Sequence, residues 1–368
     1  MALKIAVVAG DGIGPEVIAE GCTLVRDVDR ALDLSLSFDH KDWGAERWLK
    51  EGVGMPKGAL EELARDYAAI YFGALGDPRI PDMAHGREIL LGMRQGLDLY
   101  ANFRPCKCLH ERLSPLKGKG PAEIDMLVFR ENTEDLYVAL GGTFKQGTAD
   151  EVAQDVSINT RKGVERILRH GFDTARARPR HDGMKKLTMT DKHNAVRFGG
   201  GLWKRTFDQL KGDYPDVTAE HLYVDVLAME MVRKPERFHV VVANNLFGDI
   251  LTDLGAALMG GLGLAASGNV HPGKIGMFEP VHGSAPDIAG KGVANPLAAF
   301  WTASLMLEFL ATKDAALAPR LLRGARAIDA AVTACVDVGP RTPDLGGAAR
   351  TQDVGAFVRE HVGRALAA

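Results

Sequence analysis

The 368-residue sequence lacks several features that would define its class. Four cysteines are too few for a disulfide framework in so long a chain, and no paired Cys motif indicates a zinc site. Neither sign of charge dominates, since 45 Lys and Arg stand against 48 Asp and Glu, which argues against nucleic-acid or anionic-membrane binding. The longest apolar stretch, 254–266, is interrupted by glycine and is shorter than the ~18 residues that a membrane span needs. The first residues show no signal-peptide pattern, so we expect a cytoplasmic protein.

What the sequence does contain indicates an α/β protein. Hydrophobic residues make up 46% and charged residues 25%, as in ordinary globular proteins. Short apolar runs typical of buried strands alternate with amphipathic stretches of helical period, so we expect a sheet that is at least partly parallel. The predicted strands are 5–9, 68–72, 126–129 and 240–243, and the predicted helices include 16–31, 163–170 and 202–210.

Two motifs carry possible anion and cation chemistry. The segment 10–16, Gly-Asp-Gly-Ile-Gly-Pro-Glu, follows a strand and precedes a helix, yet its spacing differs from the Rossmann fingerprint Gly-x-Gly-x-x-Gly. In the segment 244–253, Asp249 and Asp253 are four residues apart and share one helix face. Two carboxylates without sulfur or imidazole suit Mg²⁺ or Mn²⁺, although an isolated pair of this kind is also typical of a solvated surface.

Arginines and a polar loop complete the pattern. Arg94, Arg104 and Arg130 each stand beside an apolar stretch, and three converging guanidinium groups would suit a di- or tricarboxylate. The segment 278–296 is dense in turn-forming residues, as in loops that surround a ligand. Asp287 in this loop could accept hydrogen bonds from ribose hydroxyls and would repel the extra phosphate of NADP.

Taken together, these motifs resemble the isocitrate/isopropylmalate dehydrogenase family. These are the metal-dependent β-decarboxylating dehydrogenases, which include isopropylmalate, isocitrate, homoisocitrate, tartrate and D-malate dehydrogenases. The resemblance spans nearly the whole chain. It rests on Gly10–Glu16, Tyr100–Pro105 (Tyr-Ala-Asn-Phe-Arg-Pro), Arg130–Glu134 (Arg-Glu-Asn-Thr-Glu), Asn245–Asp249 (Asn-Leu-Phe-Gly-Asp) with Asp253, and His282–Asp287 (His-Gly-Ser-Ala-Pro-Asp).

The resemblance implies a two-domain α/β fold that is not Rossmann, with a mixed sheet flanked by helices. The expected cofactor-binding domain comprises 1–102 and 256–368. The expected substrate, metal and dimerisation domain is 103–255, with an arm near 141–157. Members of the family are homodimers with shared active sites, so Lys192 and Asp225 would serve the partner's site.

The resemblance also implies roles for individual residues. Arg94, Arg104 and Arg130 would bind the carboxylates of a 2-hydroxy acid, and Asn194 would also contact the substrate. Lys192 would take the hydroxyl proton and Tyr137 would protonate the product. The metal ligands would be Asp225, Asp249 and Asp253, with Mg²⁺ or Mn²⁺ as the ion. The residues expected to line NAD are Ile13, Glu279, His282, Gly283, Ala285, Asp287 and Asn295.

Substrate specificity is expected just before Arg94. Leu90 and Leu91 match the apolar pair that isopropylmalate dehydrogenases place against the isopropyl group, and they cannot satisfy a third carboxylate. We therefore expect oxidative decarboxylation of 3-isopropylmalate to 2-oxoisocaproate, a step of leucine biosynthesis. Arg87 and Ala195 depart from that pattern, so homoisocitrate, isocitrate, D-malate and tartrate remain alternatives. A catalytically silent paralogue would have lost a metal or proton-transfer residue, and all five of these residues are present.

Overall fold

The computed structural model describes residues 3–368, which form α/β structure. The strands are β1 (Leu3–Gly10), β2 (Leu36–Lys41), β3 (Ala69–Ala74), β4 (Ala101–Lys107), β5 (Asp125–Glu131), β6 (Gly141–Phe144), β7 (Val152–Asp155), β8 (Lys186–Asp191), β9 (Thr218–Tyr223), β10 (Val240–Ala243), β11 (Ala266–His271) and β12 (Ile275–Pro280).

The helices lie between these strands and after the last of them. They are α1 (Gly14–Leu32), α2 (Ala45–Glu51), α3 (Ala59–Asp66), α4 (Ala84–Gly86), α5 (Gly92–Gly96), α6 (Arg161–Ala177), α7 (Arg197–Leu210), α8 (Val224–Arg233), α9 (Asn245–Leu258), α10 (Leu297–Ala311), α11 (Ala318–Val338) and α12 (Thr351–Ala367). A single turn of π-helix, Arg87–Leu91, joins α4 to α5. None of the helices in 3–368 is long and apolar enough to cross a membrane.

The first compact unit contains both ends of the described chain. It comprises the residues up to Leu99, Cys108–Pro115 and Met259–Ala368. Its neighbouring strands run in the order β2, β1, β3, β12 and β11. They are parallel except for the antiparallel pair β11–β12. The residues of β3 and β12 are all buried, which explains why β3 is apolar throughout and why β12 has a single charged residue, Glu279.

The second compact unit comprises Tyr100–Lys107 and Leu116–Leu258. Its strand order is β4, β5, β10, β8 and β9, with β4 antiparallel to β5 and the other pairs parallel. In β10, Val-Val-Val-Ala is wholly buried between β5 and β8. Parallel strands end at one edge, so the residues that follow β8, β9 and β10 are gathered there.

The secondary structure confirms the strand and helix predictions, with boundaries that differ by one to a few residues. The predicted strand 240–243 coincides with β10, whereas 16–31 is the interior of α1. The segment 141–157, where an arm was predicted, contains an antiparallel hairpin of β6 and β7, and every residue of both strands is exposed. The last helix, α12, belongs to the same compact unit as β1.

Candidate active site

Asp249 is the centre of one polar cluster in the second unit. Helix α9 begins directly after β10, and the Asn244 side chain accepts a hydrogen bond from the amide of Phe247 at 2.9 Å, as an N-cap residue does. One turn further on, Asp249 and Asp253 lie four residues apart on the helix. Their side chains are 33% and 63% exposed, so both carboxylates remain accessible.

Two of the three predicted arginines meet these carboxylates. Arg104 donates through Nη1 to Asp253 Oδ1 at 3.2 Å, and its Nη2 lies 3.5 Å from Asp249 Oδ1. Arg130 is 2% exposed and donates through Nη1 to Asp249. In the antiparallel pair of β4 and β5, Asn102 lies opposite Arg130. Arg104 is two residues from Asn102 on the same strand, so the two arginines lie on the same face of neighbouring strands. Arg104 and Arg130 therefore converge, as expected for a carboxylate-binding pair.

Tyr137 joins the same cluster. Its hydroxyl donates to Asp249 Oδ2 at 2.5 Å, and its ring centroid lies 4.8 Å from the Arg130 guanidinium carbon. Burial, followed by the hydrogen bond to Asp249, raises the pKa of Tyr137. The phenol is therefore protonated at neutral pH, as an ordinary tyrosine also is, and this is the form that can donate a proton.

A separate polar pair lies at the ends of β8 and β9. Lys192 follows β8 directly, and its Nζ lies 2.7 Å from Oδ1 of Asp225 in the first turn of α8. The hydrogen bond from Lys192 holds the pKa of Asp225 below its usual value. Asn194 lies exposed on the turn after Lys192. Within the described chain, Asp225 contacts Lys192 and forms no three-residue ligand group with Asp249 and Asp253.

The first unit holds the remaining residues that were predicted to bind substrate. Arg94 is buried on α5 and donates to Glu279 Oε1 at 2.7 Å, while Asn269 donates to the same oxygen at 2.9 Å. Leu90 and Leu91 lie on the π-helical turn before Arg94 and are partly exposed. Isolated π-turns of this kind are frequent at functional sites.

Arg87 is the first residue of the same π-turn, and its side chain contacts Asp82 at the protein surface. Its guanidinium donates to the backbone oxygen of Asp82 at 2.6 Å and lies 3.7 Å from the Asp82 carboxylate. The side chain is 59% exposed. This contact is typical of a surface arginine rather than of one that pairs with a distal substrate carboxylate, as in homoisocitrate.

The glycine-rich segment 10–16 packs against the loop 282–287 of the same unit. The Ile13 amide donates to the Ser284 carbonyl at 2.8 Å. Gly12 has φ +59°, and a Cβ there would stand 1.9 Å from the Ser284 oxygen, so both conformation and space require glycine. Ala285 also has a positive φ, of 40°. Gly283 and Asp287 are exposed along this loop.

A cavity of about 320 Å³ opens beside these loops, and we call it the Ile13 cavity. Its walls include the predicted cofactor residues Ile13, His282 and Asn295. Burial lowers the pKa of His282, and its Nε2 atom is buried without a hydrogen-bond partner. The sequence analysis missed Asp344, which lines the cavity and accepts a hydrogen bond from Asn295 at 2.9 Å.

These donor sets suit the expected metal and cofactor. Asp249 and Asp253 offer only carboxylate oxygens on one helix face. Ligands of this kind suit Mg²⁺ and Mn²⁺ better than Zn²⁺. The Ile13 cavity combines apolar walls with the unpartnered Nε2 of His282, which matches the flat faces and polar edge of an adenine ring.

Comparison with known proteins assigns the family. The profile of the family "Isocitrate/isopropylmalate dehydrogenase" matches residues 4–358, so the chain belongs to this family of decarboxylating dehydrogenases. It is 48% identical over 316 residues to a 3-isopropylmalate dehydrogenase of Thermobifida fusca, covering 85% of this chain and 88% of that protein. It is 44% identical over 354 residues to a probable tartrate dehydrogenase/decarboxylase of Agrobacterium vitis, covering 95% of each.

A solved structure supports the same assignment. The crystal structure of isocitrate dehydrogenase from Methylococcus capsulatus superposes with a TM-score of 0.83 at 33% identity, and the alignment covers 98% of this chain and 99% of that one. The predictions of family, fold class and oxidoreductase class are thus confirmed. The names of the relatives differ in their substrates, so they leave the substrate open.

Proposed function

We propose that the protein catalyses the NAD-dependent oxidative decarboxylation of 3-isopropylmalate to 2-oxoisocaproate, with Mg²⁺ or Mn²⁺. The observation that carries the proposal is the convergence of Arg104, Arg130 and Tyr137 on Asp249. This cluster places two carboxylate-binding cations and a proton donor beside a carboxylate that suits a divalent ion.

The residues divide the chemistry among them. Arg94, Arg104 and Arg130 bind the two substrate carboxylates and orient the hydroxyl-bearing carbon. Lys192 accepts the hydroxyl proton as hydride leaves that carbon, and Tyr137 donates a proton to the carbon that loses CO₂. A divalent ion held by Asp249, Asp253 and Asp225 of a second copy would supply positive charge beside the substrate hydroxyl oxygen. NAD in the first unit, held by Glu279, Asp287 and the Ile13 cavity, would supply the hydride acceptor.

The apolar pair Leu90 and Leu91 favours isopropylmalate. A third carboxylate would face these side chains without a partner, which costs several kcal/mol on the scale of unpaired buried charge. Homoisocitrate would need a cation at this position, and the guanidinium of Arg87 contacts Asp82 instead.

Tartrate or D-malate is the second candidate. The tartrate-named relatives of Agrobacterium vitis match 95% of this chain, a larger share than the 85% matched by the isopropylmalate-named relative of Thermobifida fusca. In such substrates a hydroxyl or hydrogen replaces the isopropyl group, so Leu90 and Leu91 would gain no apolar contact from them.

A substrate panel tests the assignment. Purified protein with Mn²⁺ and NAD⁺ is offered 3-isopropylmalate, isocitrate, homoisocitrate, D-malate and tartrate, and kcat/KM is compared. We expect isopropylmalate to lead, and we expect Leu91→Ala to lower its kcat/KM by roughly 10- to 100-fold while changing D-malate turnover little. Leu49→Ala, at another exposed leucine of the first unit, is the matched control. Faster turnover of any other substrate overturns the assignment.

We also propose a homodimer built on the second unit. Apolar side chains there are exposed: Met229 on α8 is 47% exposed, Ile250 on α9 60%, Phe144 in the β6–β7 arm 66% and Val152 in the same arm 56%. Exposed apolar groups on adjacent elements are typical of a subunit interface. Light scattering after size-exclusion chromatography measures the mass directly.

Subunit mixing tests whether the active sites are shared. Lys192→Met and Asp253→Asn should each be inactive alone. In a hybrid dimer, one of the two sites would receive native Lys192 from one chain and native Asp253 from the other. Half of the randomly mixed dimers are hybrids, so mixing should restore about a quarter of the wild-type activity. No recovery in hybrids of verified composition would contradict the shared site.

A further inference from the structure

Two histidines and an aspartate meet at the carboxyl ends of β8 and β9, outside the proposed reaction. Asp191 is the last residue of β8, His193 lies two residues later, and His221 lies in β9. The parallel register pairs Met189 with His221 and Asp191 with Tyr223. Because side chains alternate along a strand, Asp191 and His221 project from the same face of the sheet.

The donor atoms of this group are close together. Asp191 Oδ1 lies 2.9 Å from Nδ1 of His193 and 2.9 Å from Nε2 of His221. One donor atom from each of the three residues lies within 4.8 Å of the other two. Among residues 3–368, this is the one group of three His, Cys, Asp or Glu side chains whose possible ligand atoms all lie within 4.8 Å of one another.

We propose that Asp191, His193 and His221 bind a transition-metal ion of the Zn²⁺ type, at a site separate from Asp249 and Asp253. Two imidazole nitrogens and one carboxylate oxygen are a donor set that Zn²⁺ and Co²⁺ prefer and Mg²⁺ does not. Ligands about 2.1 Å from a common ion stand about 3.0–3.4 Å apart. The two aspartate–histidine contacts of 2.9 Å are hydrogen bonds, and the same atoms need to separate by only a few tenths of an ångström to share an ion.

The surroundings favour ligation as well. The Tyr223 hydroxyl lies 3.2 Å from Nε2 of His193, so the ring can bind an ion through Nδ1 while its other nitrogen donates to the tyrosine. The side chains of His193 and His221 are 28% and 16% exposed, which leaves a path for the ion.

The local charge also favours a cation. Asp191 carries one negative charge, and Nζ of the neighbouring Lys192 contacts Asp225 instead, at 2.7 Å. With neutral imidazoles, the group therefore has a net negative charge. Asp191 and His193 flank Lys192 in sequence, so a bound ion would fix the turn that carries this lysine.

Metal titration tests the proposal independently of enzyme activity. Chelator-treated protein is titrated with Zn²⁺ by calorimetry, and with Co²⁺ by visible absorption, in an excess of Mg²⁺ that occupies oxygen-only sites. We expect one strongly bound ion in wild type and at least about 100-fold weaker binding in His193→Ala and in His221→Ala. Tyr223→Phe should weaken binding by roughly 10-fold, since it removes only the partner of a ligand.

Two controls separate this site from the aspartates of the proposed reaction. His181→Ala removes an exposed histidine elsewhere, and Asp253→Asn alters the other candidate metal site; both should bind Zn²⁺ as wild type does. Circular dichroism verifies the fold of each variant. The proposal fails if wild type binds no Zn²⁺ in excess Mg²⁺, or if the folded His193→Ala and His221→Ala variants bind it as tightly as wild type.

Discussion

The buried ion pair of Arg94 and Glu279 allows a quantitative prediction. Their side chains are 8% and 10% exposed, and Arg94 Nη2 lies 2.7 Å from Glu279 Oε1. Glu279→Gln preserves the shape of the side chain but leaves the guanidinium charge buried without a carboxylate. Breaking a buried pair in this way costs about 3–5 kcal/mol. We expect that loss in the free energy of unfolding, measured by urea denaturation of the protein without ligands.

A double-mutant cycle isolates the interaction. Arg94→Met should destabilise by a similar amount, whereas Arg94→Met combined with Glu279→Gln should cost clearly less than the sum of the two. The exposed pair Arg364 and Glu360 on α12 is the control, and Glu360→Gln should change stability by less than about 0.5 kcal/mol. Losses at Arg94 and Glu279 that add within about 0.5 kcal/mol would refute the coupling.

Three further predictions concern the cofactor loop, proton transfer and pH. Gly12→Ala should weaken NAD binding in calorimetry, since its Cβ would meet the Ser284 oxygen; unchanged affinity would contradict the close approach. Tyr137→Phe should lower kcat by roughly 10²- to 10⁴-fold with little change in KM, and an unchanged kcat would remove Tyr137 from proton transfer. Burial lowers the pKa of His239 to about 4 from 6.5. The unfolded state therefore binds the proton first, and about 3 kcal/mol of stability present above pH 6.5 should be lost as the pH falls to about 4. His239→Gln should flatten this dependence in urea unfolding at several pH values, and an equal slope would contradict it.

Local patterns predicted the secondary structure because burial on both faces leaves a simple signature. The run Val-Val-Val-Ala of β10 is apolar throughout because strands flank it on both sides. The spacing of Asp249 and Asp253 likewise placed both carboxylates on one helix face.

Contacts between distant segments could not be derived from those patterns. Arg94 and Glu279 are 185 positions apart, and neither neighbourhood signals the other. Asp344 follows Pro343 in a short turn that resembles an ordinary loop, yet the fold carries it to Asn295. The contact of Arg87 with Asp82 is local, five residues apart, but it could not be derived either, because a surface arginine and a ligand-binding arginine have the same sequence signature.

The contacts of Arg104 and Arg130 have a consequence for the ligand-free protein. Two acidic side chains on one helical turn would repel each other, and two buried guanidinium groups would be strongly unfavourable without anions. In these contacts, each set neutralises the other. Chelation should therefore abolish turnover without unfolding the chain. Under the proposed function, the ion and the diacid would exchange partners with these side chains, so that every charge would keep a counter-charge.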